Sequence, residues 1–367
     1  MITSADRDRA ADILARFREA GAQPVAAAIL QPAGTLLDLY GEDIRARAFT
    51  TQDPLAGEMM LRPDFTVPVV QAHMAAASDP ARYCYAGEVF RRQESDPNRP
   101  REYLQAGYEV FGASDPADAD AEVFALLHEV LAPCEPIAAT GDLGILIAAV
   151  EGLTTSERRR AALRRHIWRP VRFRRLMERF TGQAARPAKR ATLLASLEGV
   201  AAEELVARAG TAVGLRETGE IAARLEALRE DAVEPPVTRS EADVLDTLLT
   251  MEGSMSEAID PLRDMAVDLP TLGPAADRLE ARAHALARRG HDPAALPFAP
   301  ARNRTAMEYY DGFTFTLSAP GRPDLAPLAT GGRYDALTAV LGGGRGVPAV
   351  GGVVRPGLLT GLAEGAR

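Results

Sequence analysis

Residues 83–112, YCYAGEVFRRQESDPNRPREYLQAGYEVFG, constrain the fold more than any other stretch. An aromatic and β-branched run enters, a polar segment rich in Pro and Arg follows, and a second alternating run returns to Glu109-Val110-Phe111-Gly112. Alternation on both sides of a polar break is the pattern of two antiparallel strands joined by a loop. The loop is about ten residues long, beyond the usual two to five, and such loops are more often functional. It holds Arg91, Arg92, Gln93, Glu94, Arg99, Arg101 and Glu102. Charges at both rims suit a small zwitterion or a phosphate, and they equally suit a solvated surface hairpin. The hairpin's own residues leave both readings open.

A chain of 367 residues can bury a large core, and its length suggests two domains. Its hydrophobic fraction of 47% and charged fraction of 25% are those of a globular protein. A net charge of -9 argues against sequence-independent nucleic-acid binding over the whole surface, because phosphate backbones demand basic faces. Cys84 and Cys134 are too few for a disulfide framework, no apolar run reaches ~18 residues, and the charged N-terminus lacks a following apolar segment. The expectation is a cytoplasmic protein without a membrane span or targeting segment.

In chain order, residues 6–20 place Ala10, Ile13, Leu14 and Phe17 at helical spacing, with Gly21 as the stop. Residues 25–30 are expected to form a strand ended by Pro32. Residues 49–68 give a strand, a turn at Asp53-Pro54, and a second strand with Asp64 and Thr66 beyond its end. That carboxylate and hydroxyl could share an ammonium group or cap the helix that follows. An amphipathic helix covers 120–131, and 140–150 is a short strand leading into a helix. From 154 to 297 Ala, Leu, Arg and Glu dominate, with breaks at 181–182, 187, 234–236 and 273–274. This predicts a helical insertion at 153–297 within a discontinuous core formed by 1–152 and 298–367. Its arginine-rich stretch 157–179 suits a solvated helix face, an acidic partner or RNA. His166 and Trp168 add no metal or stacking signature. No CxxC or HExxH occurs, and neither a metal site nor a cofactor is expected. Strands return at 313–317, 328–335 and 347–354, with a short helix at 336–341. The glycine cluster 342–346 lacks the Lys-Ser or Lys-Thr of a phosphate-binding loop and suits a turn.

Four segments in one order carry a family resemblance. Phe90-Arg91-Arg92-Gln93 and Gln105-Ala106-Gly107-Tyr108-Glu109-Val110-Phe111-Gly112 resemble motif 2 of the class II aminoacyl-tRNA synthetases, specifically histidyl-tRNA synthetase. Leu61-Arg62-Pro63-Asp64-Phe65-Thr66 resembles that family's L-R-P-E-G-T. Met307-Glu308-Tyr309-Tyr310 resembles its L-D-Y-Y, and Gly331-Gly332-Arg333-Tyr334-Asp335 repeats its G-G-R-Y-D. The resemblance implies an α+β fold with an antiparallel sheet flanked by helices. Motif 1 near the N-terminus would build a dimer interface. Histidine would be the ligand: Asp64, Thr66 and Gln105 would hold its ammonium, Arg91 would face its carboxylate, and Glu109, Tyr310 and Tyr334 would read its ring. Tyr309 is expected to pack rather than bind.

Departures from the synthetase pattern narrow the function. The family's catalytic arginine falls at Thr305, with Arg304 one residue off, and its adenine-placing glutamate is Gln93. The ATP-holding arginine of motif 3 falls at Leu358, with Arg355 in another register. Without cations on the triphosphate, adenylate formation loses its main electrostatic stabilisation. Only nine residues follow Leu358, too few for the family's anticodon-binding domain of about a hundred. Both losses resemble the regulatory subunits of ATP phosphoribosyltransferase. That resemblance implies a non-catalytic, histidine-sensing homodimer within a hetero-octamer, joined to the short-form catalytic subunit of histidine biosynthesis. The competing reading is an amino-acid-activating enzyme that forms an aminoacyl adenylate using Arg91 and Arg355.

Overall fold

The computed structural model describes residues 1–40, 44–76, 79–93, 99–211, 214, 216–302 and 309–365. Glu94, Arg304, Thr305, Met307 and Glu308, all weighed above, lie outside the described residues. The strands are β1 (Gln23–Pro24), β2 (Leu30–Pro32), β3 (Thr50–Asp53), β4 (Gly57–Leu61), β5 (Ala81–Phe90), β6 (Glu102–Phe111), β7 (Ile137–Asp142), β8 (Gly253–Ser254), β9 (Pro297–Phe298), β10 (Phe313–Ser318), β11 (Ala329–Arg333) and β12 (Ala349–Val354). Among the described residues nine strands form one sheet, ordered β1-β5-β6-β12-β11-β10-β7-β9-β8, and β2-β4-β3 form a second. The six central strands are antiparallel throughout; β1 joins β5, and β9 joins β7, in parallel.

Before the hairpin come helices α1 (Ser4–Glu19), α2 (Ala33–Tyr40), α3 (Ile44–Arg47) and α4 (Thr66–Ala76), and after it α5 (Pro116–Val130) and α6 (Leu143–Gly152). The predicted first helix forms, burying Ala10, Ile13 and Phe17, and Gly21 ends it at φ +89°. Its true start is set by a capping box between Thr3 and Asp6. α5 starts four residues before the predicted position, because Asp115 accepts the N–H of Asp118 and Pro116 occupies the first turn. The strand expected at 25–30 does not form as one piece. Residues 23–24 pair with β5 while residues 30–32 pair with β4 of the other sheet, so the segment between changes hydrogen-bonding partner.

Residues 143–288 are helical apart from loops, short turns and β8: α7 (Glu157–Arg165), α8 (Pro170–Phe180), α9 (Ala188–Ser196), α10 (Ala202–Arg208), α11 (Thr218–Val233), α12 (Arg239–Thr250), α13 (Ile259–Met265) and α14 (Gly273–Arg288) follow α6. The arginine-rich stretch is not simply a solvated face. Arg159 is buried, donates to Asp231 of α11 at 2.7 Å, and has Phe180 beneath its guanidinium at 5.0 Å. Arg179 and Arg190 converge on the same Asp231. After the return to the sheet come α15 (Asp335–Leu341) and α16 (Pro356–Gly365), the second of which the sequence pattern did not announce.

One buried ionic cluster ties these parts together. Asp120 of α5 is 1% exposed and receives Arg282 of α14 at 2.8 Å and Arg333 of β11 at 2.7 Å. Arg282 also donates to Asp142 at the end of β7, at 2.7 Å. Removing one member of a buried cluster leaves charge uncompensated, which costs about 3–5 kcal/mol, whereas a surface pair is worth ~0–1 kcal/mol. Asp120→Asn is therefore expected to lower the unfolding free energy by about 3 kcal/mol. Asp118→Asn, at the half-exposed pair with Arg289, should lower it by under ~1 kcal/mol. Urea denaturation of both variants checks the contrast.

Candidate functional site

Strand alternation decides which side chains of β6 face the site. Gln105, Gly107 and Glu109 share one face, while Tyr108 points to the other and donates its hydroxyl to Glu122 at 2.6 Å. Glu109 is 1% exposed, and three hydroxyls converge on its carboxylate: Tyr85 at 2.8 Å, Thr66 at 3.3 Å, and Tyr334. Room for this carboxylate comes from Gly351, its partner on β12: a Cβ there would lie 1.4 Å from Glu109 Oε2. Gly107 does the same for Tyr85, whose ring crosses where a Cβ would sit 2.1 Å from Cζ. Tyr85 was not among the expected site residues. Its signal was present in the hairpin register, opposite a glycine two residues before Glu109.

A cavity of about 60 Å³ opens beside this carboxylate. It is far below the ~300–1,000 Å³ of sites for drug-sized molecules. All seven expected residues line it: Asp64, Thr66, Arg91, Gln105, Glu109, Tyr310 and Tyr334. Tyr309, expected only to pack, lines it too and donates to Thr66 Oγ1 at 3.3 Å. Two consecutive residues can both face the cavity because Tyr309 and Tyr310 lie in a turn rather than a strand. The capping reading of Asp64 is also present, as a 3.5 Å acceptance of the Val67 N–H ahead of α4. Gln105 is 1% exposed, and its Oε1 has no hydrogen-bond partner among the described residues. Gln93 instead turns its amide to the Pro100 carbonyl at 3.3 Å.

The charges run from acidic to basic. Burial pushes Glu109 from 4.5 up to about 7 against its three hydroxyl donors, and nearby Asp64 adds to the rise. Burial also raises Asp64, opposed chiefly by Arg91. Burial lowers Arg355, and Arg91 beside it pushes the same way. Burial and the Glu109 charge raise the Tyr334 and Tyr310 phenols, so both stay protonated donors near neutrality. Acceptors at one end and guanidinium groups at the other fit a small zwitterion carrying a further donor group.

The site is held from behind. The chain's single tryptophan, Trp168 between α7 and α8, donates its indole N–H to the Tyr310 carbonyl at 3.0 Å. The Asp311 N–H donates to the Arg333 carbonyl at 3.0 Å, and the Asp311 carboxylate accepts the N–H groups of Asp335 and Ala336. Among the described residues, no cluster of His, Cys, Asp or Glu is arranged to hold a metal, and no helix is long and apolar enough to cross a membrane.

The sequence matches the histidyl-tRNA synthetase family over residues 3–234 and 222–357. The ATP phosphoribosyltransferase regulatory subunit of Brucella anthropi is 33% identical over 341 residues, covering 88% of both chains. Its counterpart from Brucella canis is 32% identical over 337 residues. The chain belongs to this regulatory-subunit family. Its fold is also that of two solved structures. A Bacillus halodurans protein described as an ATP phosphoribosyltransferase regulatory subunit/histidyl-tRNA synthetase aligns with TM-score 0.64 at 21% identity, over 96% of this chain and 78% of that one. A histidine–tRNA ligase subunit from Alicyclobacillus acidocaldarius aligns with TM-score 0.60 at 24% identity, over 99% and 93%. Leu358, which the sequence resemblance sets at the motif 3 arginine position, packs against the core.

Glu109 gives this regulatory-subunit site a pH signature. Its proton is held more tightly in the folded chain than in the unfolded one, so its stabilising contribution is complete below pH 4.5 and is lost as pH rises through about 7. Relative to Glu109→Gln, the wild-type protein should lose about 3 kcal/mol of stability across that window. Urea midpoints of the two proteins at a series of pH values read the difference, and parallel curves would contradict it.

Proposed function

We propose that this chain is a non-catalytic regulatory subunit of ATP phosphoribosyltransferase, the enzyme of the first step of histidine biosynthesis. It senses histidine in the Glu109 cavity and passes that occupancy to a short-form catalytic subunit, which it also activates. One observation carries the histidine assignment: the buried Gln105 Oε1, without a partner among the described residues, shares the cavity with Asp64, Thr66 and Arg91. A buried acceptor left unpaired costs about 1–3 kcal/mol, and an α-ammonium group supplies the missing donor. Arg91 then faces the carboxylate, and Glu109, Tyr310 and Tyr334 bracket the imidazole. The buried polar groups would be left unsatisfied by an amino acid without ring nitrogens, which makes rejection of such ligands strong.

The proposed assembly is a homodimer within a hetero-octamer, in the cytoplasm, with no nucleic-acid partner. Residues 1–152 and 298–367 form its synthetase-like core, and 153–297 its helical insertion. For histidine to regulate, it must bind two states of the complex with different affinity.

Three measurements test this. Mixing the purified chain with the short catalytic subunit should raise the transferase rate and make it sensitive to histidine; an unchanged rate that histidine does not inhibit rejects the proposal. Calorimetric titration should show histidine binding that Glu109→Ala weakens by ~30-fold or more, the equivalent of about 2 kcal/mol. Pyrophosphate exchange dependent on both histidine and ATP would instead mark an amino-acid-activating enzyme.

A further inference from the structure

Arg355 follows β12 and lines the Glu109 cavity beside Arg91. Its guanidinium donates to the Pro327 carbonyl, a neutral acceptor. Other arginines of the interior are matched by carboxylates: Arg159 by Asp231, Arg282 by Asp120 and Asp142, Arg333 by Asp120 and Asp335. Among the described residues no carboxylate lies within ion-pair distance of Arg355, and the nearby charge on Arg91 has the same sign. Two guanidinium groups brought side by side out of water repel each other, and an anion placed between them offsets that cost. A guanidinium also holds a carboxylate in a planar fork that a point charge cannot reproduce.

We infer that Arg355 is a specificity-determining residue for the α-carboxylate of the bound amino acid, acting together with Arg91. This rests on the reading of the cavity as a histidine site and adds the group that would make the carboxylate obligatory. It also gives Arg355 a use other than the triphosphate grip of the synthetase motif 3 arginine, whose own position is filled by Leu358.

The test is calorimetric titration of wild-type protein, R355Q and R355K with L-histidine, with histamine, which lacks the carboxylate, and with magnesium ATP. Wild-type protein should prefer histidine to histamine by at least ~10-fold. R355Q should bind histidine ~10- to 100-fold more weakly, as expected for a lost charge-assisted hydrogen bond, and leave histamine binding unchanged. R355K, keeping the charge without the fork, should fall between. Ligand-free R355Q should resist urea at least as well as wild type, since an unmatched cation has been removed, whereas loss of a purely structural arginine would lower the midpoint. Undiminished discrimination in both variants overturns the inference and leaves the histidine site standing. Loss of ATP binding with histidine binding intact also overturns it, assigning the cation to a phosphate. No histidine binding by wild-type protein would reject the pocket assignment itself, and the inference with it.

Discussion

Two guanidinium groups from distant parts of the chain, Arg282 and Arg333, meet on the single buried carboxylate of Asp120. A buried charge without its partner is expensive, so α5, α14 and β11 must come together in one arrangement for any of the three to be satisfied. Arg333 is the immediate neighbour of Tyr334 along the chain, and Arg282 brings the last long helix of the 153–297 segment onto the sheet. The position of the tyrosine hydroxyl above Glu109 is thus set by an ionic cluster outside the cavity. Trp168 reaches the same place from the helical side, through the carbonyl of Tyr310. The helical segment thus touches the cavity from behind, through the backbone of one of its lining residues.

Inside the cavity a second buried carboxylate has the opposite character. Glu109 has no arginine among its described partners and is held by three neutral hydroxyls, so burial dominates and its proton affinity rises. Asp120 joins parts of the fold and is saturated by its arginines. Glu109 lines a cavity, and the room for its carboxylate and for the Tyr85 ring comes from Gly351 and Gly107.

The hairpin was legible, though its strands start at Ala81 and Glu102, before Tyr83 and inside the expected loop. Ala81–Phe90 and Glu102–Phe111 pair along their full length, as the alternating runs require. The turn at Asp53 was legible as well, because its side chain accepts the N–H groups of Leu55 and Ala56 at 2.8 Å each, a local interaction written in the sequence. Elements whose ends depend on distant partners were not. The strand expected at 25–30 divides between two sheets, Arg159 is buried because α11 brings Asp231 to it, and Tyr309 faces the cavity because its turn places it there. None of these follows from spacing, which reports only neighbours along the chain.

The sequence by itself determined the periodicities, the caps and the order of four short motifs, and with them the fold class and the residue types that line the Glu109 cavity. These are local: strand alternation, glycine where a side chain cannot fit, and a polar residue on an apolar face are all properties of a few consecutive positions. Tertiary structure alone decided which charges are matched and which are left over. Among the described residues it gave Asp120 two arginines, gave Glu109 only hydroxyls, and left Gln105 Oε1 without a donor and Arg355 without a carboxylate. Pairing across 162 or 213 positions of chain, as between Asp120 and its two arginines, depends on how whole elements pack, and no window of sequence contains that information.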